Sequence, residues 1–174
     1  METTNFRNRS GFWMEAVVVF STANAKGIYK DVKEGYIIEA SSFMDAEDRI
    51  RKEFVYANKP IKTVSAMIRP KYGEICFSYE LAASNFYKVK VSISSETSIR
   101  TRKGGTRTKK KVTQRYHMVQ ASSIEAARKA VIDVVYKGST EDYEIADIVK
   151  TQILDVLETG KHLSIGKEEA GQNG

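Results

Sequence analysis

The chain has 174 residues, 41% of them hydrophobic, with 28 basic residues against 22 acidic ones, which suffices for one ordinary core or two small ones and excludes wholesale disorder. No apolar run approaches the roughly 20 residues that span a bilayer, and Met1 to Asn5 lacks the basic and apolar regions of a secretory leader, so no membrane partner and a cytoplasmic location are expected. Cys76 is the lone cysteine, which rules out an intramolecular disulfide and a cysteine zinc cluster and leaves it a small apolar side chain.

Residues 1–11 are polar and without periodicity, the pattern of a flexible N-terminal arm, here carrying Arg7 and Arg9. Phe12 to Phe20 is rich in aromatic and β-branched residues and reads as a strand. Asn24-Ala25-Lys26-Gly27 supplies a reversal, and the chain returns over Tyr29 to Ala40. Ser42, with Asp45 three residues on, opens a helix whose Phe43, Ala46, Ile50 and Phe54 share a face. Asn58-Lys59-Pro60 ends it. Ile61 to Arg69 and Glu74 to Tyr79 follow as strands, separated by the turn Pro70 to Gly73.

The same order then recurs. Phe86 to Ile93 matches Phe12 to Val19 at an offset of 74 residues, and Met118 to Ile124 matches Ile37 to Phe43 at an offset of 81. Ile124, Ala127 and Val131 repeat Phe43, Ala46 and Ile50, with Ser122 and Glu125 at capping-box spacing. The fold expected is α+β: two tandem ββαβ(β) repeats, 12–80 and 86–158, each an antiparallel sheet with one helix on a face, related by a pseudo-twofold axis. A tail over 159–174, glycine-rich and poor in apolar residues, is expected to be flexible.

Between the two offsets the second copy gains roughly seven residues, and they fall in a hairpin, 98–115, that carries Arg100, Arg102, Lys103, Arg107, Lys109, Lys110, Lys111 and Arg115. Without these eight, 20 basic residues would face 22 acidic ones, and no acid lies between Glu96 and Glu125. Long cations flanking Gly104-Gly105 suit a phosphate backbone, whose neutralisation releases condensed counterions. An acidic protein partner and a merely solvated hairpin tip are the competing readings. Lys88 and Lys90 would extend the basic surface, and Tyr87 and Tyr116, at the ends of the hairpin strands, are the candidate stacking platforms for bases. In the first copy both faces of 12–20 are apolar, so the extra face needs a cover, either the second copy or another subunit in a homodimer.

An enzyme is not expected. Only two histidines, His117 and His162, occur, with no nucleophile, base and orienting group in a recognisable arrangement, and no P-loop, dinucleotide fingerprint or metal-ligand spacing. No cofactor or metal follows.

The aromatic-initiated strands Phe12-Trp13 and Phe86-Tyr87, the Ala-Ser-Ser segments Ala40 to Ser42 and Ala121 to Ser123, and the late run Ile145-Ala146-Asp147-Ile148-Val149 resemble an uncharacterised domain family. That family occurs in Bacteroidales bacteria and their phages, including crAss-like phages. The resemblance spans about Phe12 to Leu157 and rests on packing motifs. It implies a phage context, in which some members are associated with single-stranded DNA binding. The function expected is thus non-catalytic binding of nucleic acid, single-stranded DNA in preference to RNA or duplex. The alternative is a phage protein–protein interaction module, a virion component or an inhibitor of a host protein.

Overall fold

The computed structural model describes residues 5–164. It is an α+β structure, mostly strand, with two sheets. In chain order the elements are β1 (Phe6–Ser10), β2 (Trp13–Ala23), β3 (Tyr29–Glu39), α1 (Phe43–Tyr56), β4 (Thr63–Ile68), β5 (Glu74–Ser78), β6 (Asn85–Arg100), β7 (Thr106–Ala121), α2 (Ile124–Ala130), a π-helical turn (Val131–Val135), β8 (Asp142–Lys150) and β9 (Ile153–Leu157). They form two compact units, one of residues 11–70 and 152–164, the other of residues 5–10 and 71–151. Among the described residues no helix is long and apolar enough to cross a membrane.

In the first unit the strand order is β4-β2-β3-β9, antiparallel except for β9, which runs parallel to β3. Strand alternation puts Met14, Ala16, Val18 and Phe20 of β2 on one face with Tyr36 and Ile38 of β3. Helix α1 covers that face with Ala46, Ile50 and Phe54, and the Phe54 ring meets Phe20 at 5.8 Å and Tyr36 edge-on at 5.4 Å. Burying each such large side chain is worth about 1.5–3 kcal/mol. The helix starts where expected, the Ser42 hydroxyl accepting from Asp45 N–H at 3.1 Å while Asp45 accepts from Ser41 N–H at 3.0 Å. Strand β9 can approach because Gly35 has no side chain: a Cβ there would lie 3.2 Å from the Gln152 carbonyl.

The opposite face of β2 is closed too, with Trp13 and Val19 buried, and on this strand Phe12, just before it, is the large exposed residue.

In the second unit the order is β1-β5-β7-β6-β8, with β5 parallel to β7. Tyr87, Val89, Val91 and Ile93 of β6 form the core face, under Ala127 and Ala130 of α2 and Val131 of the π-helical turn. The helix cap is Ser123, accepting from Ala126 N–H at 3.1 Å, one residue later than the Ser122 expected; the residue equivalent to Ser42 at the offset of 81 is Ser123. Of the flexible arm expected over 1–11, residues 1–4 lie outside the described residues, and Phe6–Ser10 is a strand instead: it pairs with Ser78 to Glu74, and the Arg7 guanidinium lies 4.1 Å from the Phe77 ring centre. A ladder partner supplies the order that the stretch lacks by itself.

The compact units also differ from the contiguous segments 12–80 and 86–158. Strand β5, inside the first segment, lies in the sheet of β7, and β9, from the second, lies in the sheet of β3. Of the tail expected over 159–174, residues 165–174 lie outside the described residues. The described part is tied down, with Leu163 buried in the first core and His162 bonded to Glu53 and stacked on Tyr56 at 4.3 Å.

Candidate nucleic-acid interface

Strands β6 and β7 pair without interruption from Asn85–Ala121 to Arg100–Thr106. Their outside neighbours stop far earlier: β8 reaches only Ser94, and β5 touches β7 only at Met118 and Val119. From Ser95 to Lys111 the hairpin is therefore a two-stranded ribbon with no flanking strand among the described residues. At about 3.4 Å per residue, the arm from Ser95 to Arg100 extends some 20 Å. Every residue from Ser95 to Arg115 is exposed.

The cations are placed by strand pairing rather than by a flexible loop. Arg100 ends β6, Arg107, Lys109, Lys110, Lys111 and Arg115 lie on β7, and only Arg102 and Lys103 sit in the turn. That turn is fixed by Thr101 N–H donating to Gly105 O at 2.8 Å and by Gly104 at φ 78°.

Pairing also sorts the charges by face. Arg107, Lys109, Lys111 and Arg115 share one side with Ser95, Thr97 and Ile99, where no acid occurs. Arg100 and Lys110 share the other with Glu96, directly opposite Lys110, and with Lys88, Lys90 and Tyr116 nearer the sheet. Lys88 is exposed and Lys90 half-buried, with Asp147 of β8 opposite Lys90. Among the described residues, Arg115 is the ribbon cation in an ion pair, a two-pronged contact to Glu141 at 3.1 and 3.3 Å.

The aromatic candidates separate. Tyr87 is 5% exposed in the second core and is not available for stacking, because its parity on β6 turns it toward α2. Tyr116 is half-buried at the foot of the ribbon, with the Lys71 ammonium 5.7 Å from its ring centre.

Beside that foot lies a cleft of about 350 Å³, whose lining includes Lys71, Glu74, Arg115, Tyr116, His117 and Tyr136. The sequence alone did not bring these residues together. His117 Nε2 is 2.9 Å from the Tyr136 hydroxyl, and its Nδ1 is buried without a hydrogen-bond partner, 4.0 Å from Glu74 Oε2. Burial holds the imidazole below its ordinary pKa and holds the Tyr136 phenol above its own. The π-helical turn delivers Tyr136, whose N–H donates to Val131 O at 2.9 Å. Its sequence signal was the β-branched run Val131-Ile132-Asp133-Val134-Val135, a poor helix continuation.

Cys76 is buried, and burial pushes its thiol up to about 12, so it is a packing residue at neutral pH. No cluster of three or more His, Cys, Asp or Glu side chains able to hold a metal occurs among the described residues.

Residues 12–159 match the model of a family described as a domain of unknown function, DUF4494. No curated protein and no solved structure matches the chain.

Proposed function

The chain belongs to the domain-of-unknown-function family DUF4494, and from its own surface we propose that it is a non-catalytic nucleic-acid-binding protein that engages single-stranded DNA through the β6–β7 ribbon. The observation that carries this reading is the unflanked ribbon itself, with seven cations from Arg100 to Lys111 against Glu96 alone, and with Arg115 at its foot the hairpin cation held by a carboxylate among the described residues. Lysines at Lys109 and Lys111 recur every two residues, about 6.8 Å along the strand, close to two steps of a stacked nucleic-acid strand. A ribbon held by sixteen-residue strands presents them at little further ordering cost. Lys88, Lys90, Arg102 and Lys103 widen the same basic surface, and Tyr116 is the remaining stacking platform.

The order within each sheet supports reading the two units as copies of one ββαββ repeat. β4-β2-β3-β9 and β8-β6-β7-β5 correspond strand for strand, each ending in a parallel strand. On this reading the fifth strand of each copy is exchanged into the sheet of the other, and the ribbon is an elongation of one copy's hairpin. The resemblance to phage-encoded members makes the host cytoplasm the proposed compartment.

The test is the affinity for a single-stranded oligodeoxynucleotide as a function of salt. A steep log–log slope that flattens when Arg107, Lys109, Lys110 and Lys111 become Ala supports the proposal, and undetectable binding at low salt overturns it. Competition by a duplex of equal length settles the strand type, since a two-stranded ribbon also fits a major groove. An acidic protein partner, the second reading, rests on the same ribbon and predicts an association that survives nuclease treatment.

A further inference from the structure

The sheet of the second unit presents free backbone at two places. Strand β8 is last in its strand order, and among the described residues no strand flanks β7 from Thr106 to His117. Such edges carry unpaired N–H and C=O groups that another strand can meet. Antiparallel alternation fixes which residues supply them. Thr101 N–H donates to Gly105 O, so hydrogen-bonded pairs recur every second residue from there, and Thr108 and Lys110 turn their backbone groups away from β6. The same alternation turns Ser92 and Ser94 of β6 toward β8, where they meet Glu144 and Asp142. Tyr143 and Ile145 therefore turn their backbone groups outward.

Charge follows the same spacing. Lys109 and Lys111 are exposed on one face of the ribbon, opposite Thr97 and Ser95, and Asp142 and Glu144 are exposed on one face of β8, opposite Ser94 and Ser92. None of the four meets a charge across its own ladder. Laid antiparallel with Lys110 opposite Tyr143 and Thr108 opposite Ile145, a ribbon and a β8 edge satisfy each other's outward backbone groups. Lys109 then meets Glu144 and Lys111 meets Asp142, both at the closely spaced pairs of the new ladder. Two ribbon edges would set cation against cation, and two β8 edges acid against acid, so the charges select the unlike pair. We propose that β8 is the docking edge for the ribbon of a second copy of this chain, joined by strand addition. The contact joins unlike surfaces, so a pair of copies linked by it leaves one ribbon and one β8 edge for further copies. It does not depend on nucleic-acid binding, and a polyanion seated on Lys109 and Lys111 competes with it.

The experiment follows the mass of the full chain by sedimentation velocity at concentrations up to about 1 mM, enough to populate contacts with millimolar dissociation constants. At low salt the wild type is expected to self-associate, and at 1 M salt, where the Debye length is about 3 Å, to return toward the single chain. Asp142→Lys with Glu144→Lys, and separately Lys109→Glu with Lys111→Glu, should each abolish association, because each makes ribbon and β8 alike in charge. Mixing the two variants should restore it, since each ribbon then finds a β8 of opposite sign on the other variant. A wild type that stays a single chain at low salt overturns the proposal. Undiminished association in either variant does so too, as does a mixture that stays dissociated. The ribbon's affinity for DNA is read separately from its salt slope, so either reading can fail while the other stands.

Discussion

Arg115 and Glu141 join β7 to the segment before β8 through two N–H···O contacts of 3.1 and 3.3 Å, so one of the eight ribbon cations is spent on structure while the others face water. The pair is half-exposed, which limits its worth to under about 1 kcal/mol. Arg115→Ala is accordingly expected to lower the thermal midpoint slightly and to change the salt slope of DNA binding little. Replacing Lys111 should do the opposite. A slope that falls as much for Arg115→Ala as for Lys111→Ala would show that the guanidinium leaves Glu141 to meet a phosphate.

His117 gives the fold a pH dependence of definite sign. Its folded pKa lies below the ordinary 6.5, first because of burial and then because of Arg115, with Glu74 opposing both. Below pH 6.5 the unfolded chain therefore binds the proton more readily, and stability falls as pH drops from there toward the folded pKa. Asp31, whose pKa is lowered from 3.8 by Lys62 and Ser21, acts only at lower pH. The thermal midpoint should decline as pH falls below about 6.5, and His117→Gln should remove that decline.

How much of this was legible in the residues depends on how local the cause is. Alternation along β2, the Ser42 cap and the face of Ala46, Ile50 and Phe54 are set by neighbours in sequence and lie where the pattern puts them, whereas Phe43, expected on that face, is exposed. The localisation of charge in 98–115 was equally plain. What remained hidden is the pairing of distant segments. Nothing near Phe6 announces its ladder with Ser78, and nothing in Ile153 to Leu157 says that it lies parallel to β3. Tyr87 shows the same limit, since its place at a strand end made it a stacking candidate and only the packing of α2 over β6 makes it a core residue. The cleft was invisible because Glu74, His117 and Tyr136 come from three separate elements.

The parallel docking of β9 can be tested at Gly35. A side chain there meets the Gln152 carbonyl at 3.2 Å and Ile153 Cδ1 at 3.4 Å, both on the incoming strand. Gly35→Val should loosen β9 and unseat Leu157 from the first core, costing about 1–3 kcal/mol. Amide hydrogen exchange in 153–157 should accelerate, while β6 and β7, in the other unit, keep their protection. Uniform loss of protection across both units would show instead that the chain unfolds only as a whole.

Finally, the pairing of β6 with β7 predicts that neighbouring lysines differ. Lys109 and Lys111 stand with Arg107 on the face that holds no acid, whereas Lys110, between them in sequence, points the other way with Glu96 directly opposite. A phosphate drawn to Lys110 is repelled by that carboxylate, and one at Lys109 or Lys111 is not. Each cation that contacts a phosphate contributes roughly 0.7 to the log–log salt slope on a single strand. The double variant Lys109→Ala with Lys111→Ala should thus lower the slope by about 1.4, and Lys110→Ala by clearly less than 0.7. Glu96→Gln should strengthen binding, because it frees the second face. These positions are exposed, so thermal midpoints should stay within the change expected for surface substitutions, about 0.5 kcal/mol. Equal losses at Lys109, Lys110 and Lys111 would mean that the ribbon acts as a diffuse charge with no preferred face.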